Sequence, residues 1–422
     1  MLIGWSIFFF SMMILSLLRR VEPFSDGENV INPHAQYETA RFLIPLAVVQ
    51  FAQLIAGAGC EGLMIEYAHR EGEAERGWTQ CMTMVFRFIG EALGGAFVTF
   101  GFNNAEYGGT FSYALPLRFF FLVLGAVALV GVLVTVLFVR EDPLPFSNQH
   151  LSSQLHQIWR FLEKPVTWKQ LIYTFLVNAV NSVTVRESGS ISAIWLDKSN
   201  LTASIESVIS SVGCIAAVLF VCRFLLNANW RVTILVSSLI SIAIDLPVGL
   251  MTAFNVYRNG TFSFITGEIT ELMNKIAWAA KMLIWAEISA TGYEATSFGL
   301  LTSMGNVAIT VATVGTNMVD ATFTPEQMDL EADTSTVRSH IAIEYIVIDV
   351  LKIVVAFACL PLIPRQKREV NNLRLTGNPN LAIPILIFIF YCVVFGAAMT
   401  STAMAMFKST SCRMFAGGPG CA

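Results

Sequence analysis

Residues 113–139 read YALPLRFFFLVLGAVALVGVLVTVLFV, a long apolar run whose single charged side chain is Arg118. A bilayer core accepts about 20 apolar residues as one helix, because a helix pairs its backbone N–H and C=O groups internally. Ten further stretches have the same character, so the sequence predicts about eleven transmembrane helices. The predicted spans are 1–18, 41–60, 78–101, 113–139, 171–195, 205–226, 231–255, 261–289, 291–319, 338–363 and 381–406.

The composition agrees with a membrane protein. Of 422 residues, 55% are hydrophobic and only 13% are charged, whereas a soluble domain has about 25% charged residues. The net charge of −4 gives no reason to expect a nucleic-acid partner. We therefore predict an all-α, multi-pass integral membrane protein whose first partner is the lipid bilayer. The sequence does not select between the plasma membrane and an organelle membrane.

No motif indicates an enzyme, a metal site or a cofactor. The five histidines lack metal-ligand spacing, and the intramembrane aspartates Asp245 and Asp349 lie in no catalytic motif. Residues 57–62 match the pattern GxGxxG, but they close an apolar helix instead of joining a strand to a helix. Their glycines, and those at 90–95, are interpreted as close helix–helix contacts.

Charged loops predict the orientation. Lys and Arg cluster in residues 140–170 and 364–380, which places both loops in the cytoplasm. The acidic loop 320–337 then lies outside, as do the glycosylation sequons at Asn200 and Asn259. The first span has no basic residue before it and no cleavage site, so we expect a membrane helix there and not a signal peptide.

Eight cysteines are scattered without a redox or zinc spacing. Cys412 and Cys421 flank a Gly-rich tail and are predicted to form a disulfide if that tail faces an oxidising compartment. The other six are interpreted as buried thiols; they are Cys60, Cys81, Cys214, Cys222, Cys359 and Cys392.

Several predicted spans contain ionisable side chains, which are costly in lipid. Spacings of three or four residues predict helix-face pairs between Arg87 and Glu91, Glu271 and Lys275, and Asp349 and Lys352. The other ionisable side chains considered in these spans are Arg186, Glu187, Asp245, Glu268, Lys281 and Glu287. For any one pair, a local contact that holds helices together is an equal alternative to a functional role, but the whole set favours a polar cavity. Trp278 and Trp285 either stack on a flat ligand or, as the favoured alternative, pack in the core.

Two stretches carry a family resemblance. Residues 61–81, EGLMIEYAHREGEAERGWTQC, lead through Arg87 to GFNNAEYGGTFSYALP at 101–116, and residues 292–306 read GYEATSFGLLTSMGN. Both resemble motifs of the folate–biopterin transporter (BT1) family of the major facilitator superfamily, and residues 364–368 and the GGPGC tail resemble oomycete-type members. The matching motif residues are Glu61, Glu66, Glu294, Thr296 and Asn306.

This resemblance implies a major facilitator-like fold of two six-helix halves around a cavity. Residues 1–139 would be an N-terminal half with four helices, apparently lacking the family's first two, and 140–170 the cytoplasmic joining loop. Residues 171–363 would be the six-helix C-terminal half, and 364–422 a basic loop, an extra transmembrane helix and the tail. The sequence also departs from the family at Gly57, where an acidic residue is expected.

The resemblance implies a carrier for folate, a pterin or a similar solute that works by alternating access. The predicted substrate-binding residues are Arg87, Arg186, Lys275 and Trp278, since a carboxylated heterocycle needs cations and an aromatic face. The predicted proton-coupling carboxylates are Glu91, Glu187 and Glu271. The alternative is a non-transporting or truncated family member that serves as a membrane partner or scaffold.

Overall fold

The computed structural model describes residues 1–22, 30–72, 75–104, 109–139, 151–185, 188–290, 292–323, 327–407, 409–416 and 421. These residues contain fifteen α-helices and no β-strand, apart from an isolated bridge between Asn104 and Phe111. The predicted all-α class is confirmed. In chain order, the helices are α1 (Leu2–Leu17), α2 (Ala35–Arg70), α3 (Trp78–Gly101), α4 (Leu117–Phe138), α5 (Leu151–Leu162), α6 (Pro165–Asn181), α7 (Ser188–Ile194), α8 (Asn200–Phe220), α9 (Trp230–Ala253), α10 (Gly260–Ile288), α11 (Glu294–Phe323), α12 (Gln327–Ala332), α13 (Ser335–Ala358), α14 (Lys367–Thr376) and α15 (Ala382–Met406).

Eight of the described helices are long and apolar enough to cross a membrane, namely α2, α3, α4, α8, α9, α11, α13 and α15. In the most apolar windows of α13 and α15, only 11% of residues are buried inside the protein. Their outward side chains are large and hydrophobic, as contact with lipid requires. The chain is a multi-pass integral membrane protein.

The other three predicted spans do not form a single helix that is both long and apolar enough, so the count of eleven is approximate. The first is the 16-residue helix α1. The stretch 171–195 is divided between α6 and α7, because Ser182 ends α6 and the β-branched residues that follow are poor helix formers. The third is α10, which is 29 residues long but carries five ionisable side chains that lower its hydropathy.

The described helices form two compact units. The first contains residues 1–64 and 98–149, and the second contains residues 65–97 and 150–422. The predicted division into two halves around a joining loop stays a prediction, and residues 140–150 of that loop lie outside the described residues.

The first unit is built on α1, α2 and α4. Its buried core contains Met12, Leu15, Val49 and Phe121. The approach of α1 to α2 requires glycine at position 4, since a Cβ there would lie 2.6 Å from the carbonyl oxygen of Ala52.

The glycines interpreted as helix contacts divide into two groups. A Cβ on Gly59 would touch Met1, and one on Gly95 would lie 3.3 Å from Val208. No described atom lies within 4 Å of the corresponding position on Gly57, Gly90 or Gly94, so the interpretation is wrong for these three.

The second unit packs α6, α9, α10 and α13 together with α8 and α11. Trp230, Trp285 and Leu301 are fully buried there. At one end, Trp195 and Val185 pack against Ile341 of α13. The helix α15 adds to this unit through an edge-to-face contact between Phe390 and Phe175, whose ring centroids are 4.8 Å apart.

The cysteines correct part of the sequence interpretation. Cys81 and Cys222 are buried as predicted, but they form a disulfide between α3 and the short π-helix Val221–Leu225. Burial as free thiols is confirmed for Cys214 and Cys359. Two others differ: Cys60 is half-buried, and Cys392 on α15 is exposed.

Candidate functional site

A cavity of about 290 Å³ lies inside the second unit, between α6, α9, α10 and α13. Its wall combines three lysines and two carboxylates with amide, hydroxyl and aromatic side chains. They include Lys275, Lys281, Lys352, Asp245, Glu271, Asn178, Asn274, Ser241 and Trp278. Ionisable groups in a membrane require partners or a polar space. The cavity provides that space for five ionisable side chains of α9, α10 and α13, namely Asp245, Glu271, Lys275, Lys281 and Lys352.

Three of the predicted site residues line this cavity: Lys275, Trp278 and Glu271. They lie at successive turns of α10 and therefore share one helix face. The ion pair between Glu271 and Lys275 is confirmed, with 3.0 Å between Oε1 and Nζ. Phe88 of α3 contacts two of these residues. The centroid of its ring lies 5.8 Å from the ring centroid of Trp278 and 5.5 Å from the ammonium of Lys275.

A second charged group belongs to α9 and α13. The ammonium of Lys352 lies 2.9 Å from Asp349, which is 1% exposed, and 3.7 Å from Asp245. The pair between Asp349 and Lys352 is confirmed, whereas the contribution of Asp245 from α9 was not predictable from spacing within one helix. One lysine and two carboxylates give this group a formal charge of −1.

Lys281 differs from the other cavity lysines. It is 8% exposed, and its Nζ donates a hydrogen bond of 2.7 Å to Oδ1 of Asn178. Its ammonium also lies 5.4 Å from the ring of Trp285. Among the described residues it forms no ion pair with a carboxylate. Lys281 was not among the predicted site residues, although Lys275, Trp278 and Lys281 recur at every third position of α10.

The tryptophans of α10 have different environments. Trp285 is 2% exposed and packs edge-to-face against Phe298, 5.9 Å away, so core packing is confirmed for it. Trp278 is half-buried and lines the cavity. Only Trp278 is placed where it would meet a ligand.

Other predicted site residues lie elsewhere. Arg87 and Glu91 are exposed on α3, and neither lines the cavity. No ion pair joins them among the described residues, so the predicted pair is wrong; spacing of four residues permits a contact but does not enforce it. Glu91 is close enough to interact electrostatically with Lys275. Arg186 and Glu187 lie outside the described residues.

The segment before α3 anchors the end of α10. The carboxylate of Glu71 accepts hydrogen bonds of 2.7, 3.1 and 2.7 Å from the amides of Gly77, Trp78 and Thr79, and so caps α3. Arg76 then forms an ion pair of 2.8 Å with Glu287, which is 5% exposed.

Neighbouring side chains strengthen this anchor. The amide of Gln80 donates to the carbonyl of Met282 at 2.7 Å, and Lys367 donates to the carbonyl of Arg76 at 2.9 Å. Arg374 of α14 lies close by, and burial lowers the pKa of its guanidinium, an effect that Glu287 opposes. The acidic loop motif thus serves to attach α3 to α10 and α14.

The five residues that match the family motifs lie on α2 and α11. Glu66 pairs with Arg70 on the surface of α2, and Glu61 is half-buried one turn earlier. Glu294 begins α11 and accepts a 2.8 Å hydrogen bond from the amide of Gly292. Thr296 and Asn306 are exposed on α11. None of these five lines the cavity.

A second polar cluster lies where the α9–α10 connection meets the start of α13. Asp333 accepts two hydrogen bonds from Arg258, both 2.9 Å, and two from Arg338, of 2.9 and 2.6 Å. Arg258 also stacks over the ring of Trp195 at 3.8 Å. The hydrogen bonds from Arg338 and then Arg258 lower the pKa of Asp333 to about 2.

The predicted glycosylation sites lie at helix N-termini. Asn200 is the first residue of α8, and Oδ1 of Asn259 caps α10 by accepting a 2.9 Å hydrogen bond from the amide of Phe262. In the tail, Cys412 and Cys421 form a disulfide with Cα atoms 5.0 Å apart.

The sequons allow a test of the predicted orientation. We expect the chain made in a glycosylating host to lose mass on treatment with peptide N-glycosidase, because both asparagines would face the lumen. Thr261→Ala should remove one glycan and leave the α10 cap intact, because that cap uses Asn259. Ser263→Ala is the control and should change nothing. A mass shift that survives in Thr202→Ala/Thr261→Ala would contradict the prediction.

Comparisons with known proteins add to this geometry. A model of the BT1 family matches residues 89–377, more than half of the chain. A search of curated proteins found no match. Among solved structures, a bacterial homologue of the human lysosomal transporter Spinster is similar in its inward-facing, unoccupied form, with 13% identity, a TM-score of 0.43, and coverage of 89% of this chain and 84% of that chain. Its inward-facing, occupied form gives 13% identity, a TM-score of 0.37, and coverage of 87% and 82%.

Proposed function

Because this chain belongs to the BT1 family, it is a membrane-embedded secondary transporter, and we propose that it carries a folate, a pterin or a similar small organic solute by alternating access, coupled to protons. The observation that carries the proposal is the cavity in the second unit, where membrane helices bring together cations, carboxylates and Trp278. These groups suit a flat heterocycle with an acidic substituent.

The size of the cavity favours a small member of this class. Ligand pockets commonly enclose about 300–1,000 Å³, and this one encloses about 290 Å³. A bicyclic pterin fits such a space better than a whole folate with its glutamate tail. Trp278 would stack on the ring, and a lysine of the wall would meet a negative group.

The ion pair between Glu271 and Lys275 supports the proposal of proton coupling. While Glu271 is ionised, it neutralises Lys275 at 3.0 Å. A proton on Glu271 would cancel that attraction and free Lys275 to bind an anion, so that proton and solute would bind together. We also propose that Arg87 and Arg186 are further substrate-binding cations. Glu91 and Glu187 are proposed as further proton-coupling carboxylates.

The test is uptake of labelled pterin and folate in a folate-auxotrophic host, with and without an inward proton gradient. We expect wild-type uptake to rise with the gradient. Glu271→Gln should abolish that stimulation, because the amide mimics the protonated acid and can no longer titrate. Glu268→Gln is the matched control: it lies on the same helix, one turn earlier and outside the cavity wall, and should retain the stimulation.

Two results would each reject a part of the proposal. Uptake equal to vector controls would favour the alternative role as a membrane partner or scaffold. A gradient response preserved in Glu271→Gln would leave transport in place but remove Glu271 from its coupling.

A further inference from the structure

We infer that the cavity contains one fixed anion subsite at Lys281, and that its solute carries a single negative group beside a heterocyclic edge rich in N–H donors. This inference rests on the proposed function and specifies the chemical class of its substrate. It assigns to Lys281 a role separate from that of Lys275.

Charge is distributed unevenly around the wall of the cavity. Lys275 is neutralised by Glu271, and Lys352 by Asp349 and Asp245. Lys281 has an amide and an aromatic ring as its described partners, and neither carries a full negative charge. Among the described residues, Lys281 is therefore the one cation of the cavity wall without a carboxylate partner.

The ammonium of Lys281 is also buried. A charge that is 8% exposed has lost most of its hydration, and a hydrogen bond to an amide replaces only part of it. An anion entering the cavity would supply the missing partner through a charge-assisted hydrogen bond. Lys281 is thus poised to bind a ligand and not merely to hold two helices together.

The position of Lys281 depends on Asn178, which accepts its hydrogen bond. Its partner Asn178 on α6 is seated against Gly305 of α11, where a Cβ would lie 2.5 Å from Nδ2 of Asn178. Any side chain at position 305 would displace the amide. The motif at 292–306 therefore contributes to the site indirectly, because Gly305 leaves room for the residue that positions Lys281.

The opposite charge lies elsewhere in the cavity. Lys352 and Asp245 line the wall, and together with the buried Asp349 they form a group with a formal charge of −1. It would accept N–H donors such as the amino and ring N–H groups of an aminopyrimidine, and it would repel a second carboxylate. While ionised Glu271 neutralises Lys275, one cation and one acidic excess select a monoanion over a dianion.

The experiment uses the purified full-length protein in lipid nanodiscs and measures dissociation constants for three probes. Pterin-6-carboxylate is the monoanion, 6-hydroxymethylpterin is its neutral counterpart, and folate is the dianion. We expect wild type to bind pterin-6-carboxylate most tightly. Lys281→Met should weaken that binding roughly 10- to 100-fold, the effect of a lost charge-assisted hydrogen bond, and leave 6-hydroxymethylpterin within about twofold.

Two more variants separate charge from structure. Lys281→Arg keeps the charge and should retain pterin-6-carboxylate binding within about tenfold. Gly305→Ala should weaken the carboxylated probe more than the neutral one, because it moves Asn178 and not the ring-binding surface. Lys281→Met removes a buried charge, so its thermal midpoint should not fall below that of wild type.

The inference is overturned if Lys281→Met weakens the neutral and anionic pterins equally, or if wild type prefers folate or binds none of the probes. Uptake into proteoliposomes separates this result from the proposed function. Selective binding of pterin-6-carboxylate without uptake would reject the transporter and keep the subsite. Uptake with no preference for the monoanion would keep the transporter and reject the subsite.

Discussion

Arg76→Met should lower the free energy of unfolding by about 3–5 kcal/mol, because it would leave the buried carboxylate of Glu287 without its ion-pair partner. Glu287 is 5% exposed and lies 2.8 Å from Arg76. The nearby Arg374 compensates part of the loss, which favours the lower end of this range. The measurement is unfolding of the purified protein by titration with sodium dodecyl sulfate, followed by tryptophan fluorescence.

A double-mutant cycle isolates the ion pair. Arg76→Met combined with Glu287→Met should recover most of the stability, since replacing both partners by apolar groups removes the stranded charge. Glu66→Gln is the control, because its pair with Arg70 is about half exposed and should contribute less than about 1 kcal/mol. If the double variant were as unstable as the sum of the single variants, the ion pair would not be the source of the effect.

Asp333→Asn should cost about 2–4 kcal/mol at neutral pH, because it removes the carboxylate that accepts four hydrogen bonds from two arginines. Position 333 has a positive φ of 45°, which asparagine tolerates well. Asp333→Ala should therefore be the less stable variant, since it also loses this backbone tolerance. Detergent unfolding of both variants against wild type measures the two effects separately.

The same carboxylate predicts a dependence on pH. Its pKa is lowered to about 2 in the folded protein, against about 3.9 in an unfolded chain. The contribution of this carboxylate to the free energy of unfolding is therefore fully present above pH 4, and it is lost as the pH falls through about 2. The stability difference between wild type and Asp333→Asn should shrink over that window. A difference that stays constant from pH 5 to pH 2 would show that the charge of Asp333 is not responsible.

Local spacing was sufficient to predict part of the site. Glu271, Lys275 and Trp278 lie within two turns of one helix, so their common face follows from helical geometry. Asp349 and Lys352 are three residues apart on one helix, so their pair was predictable from helical geometry as well. The membrane fold was predictable as well, because apolar length is a property of each segment alone.

Contacts between distant segments were not predictable in this way. Arg76 and Glu287 are separated by 211 positions, and Cys81 and Cys222 by 141. No periodicity in one sequence specifies such partners. Lys281 was missed as a site residue for the same reason, since its isolation becomes visible only when the partners of Lys275 and Lys352 are known.

The five ionisable side chains of α10 also affect how the protein is made. On scales derived from membrane insertion, a lysine or a comparable charge near the centre of a helix costs about 2.5–3.5 kcal/mol, so α10 alone would be rejected by the translocon. Its neighbour α9 supplies Ser241, whose hydroxyl donates a 3.0 Å hydrogen bond to Asn274 of α10. The two helices should therefore enter the bilayer together as a hairpin. The polarity that suits α10 to bind a solute thus makes its biogenesis depend on the helix synthesised just before it.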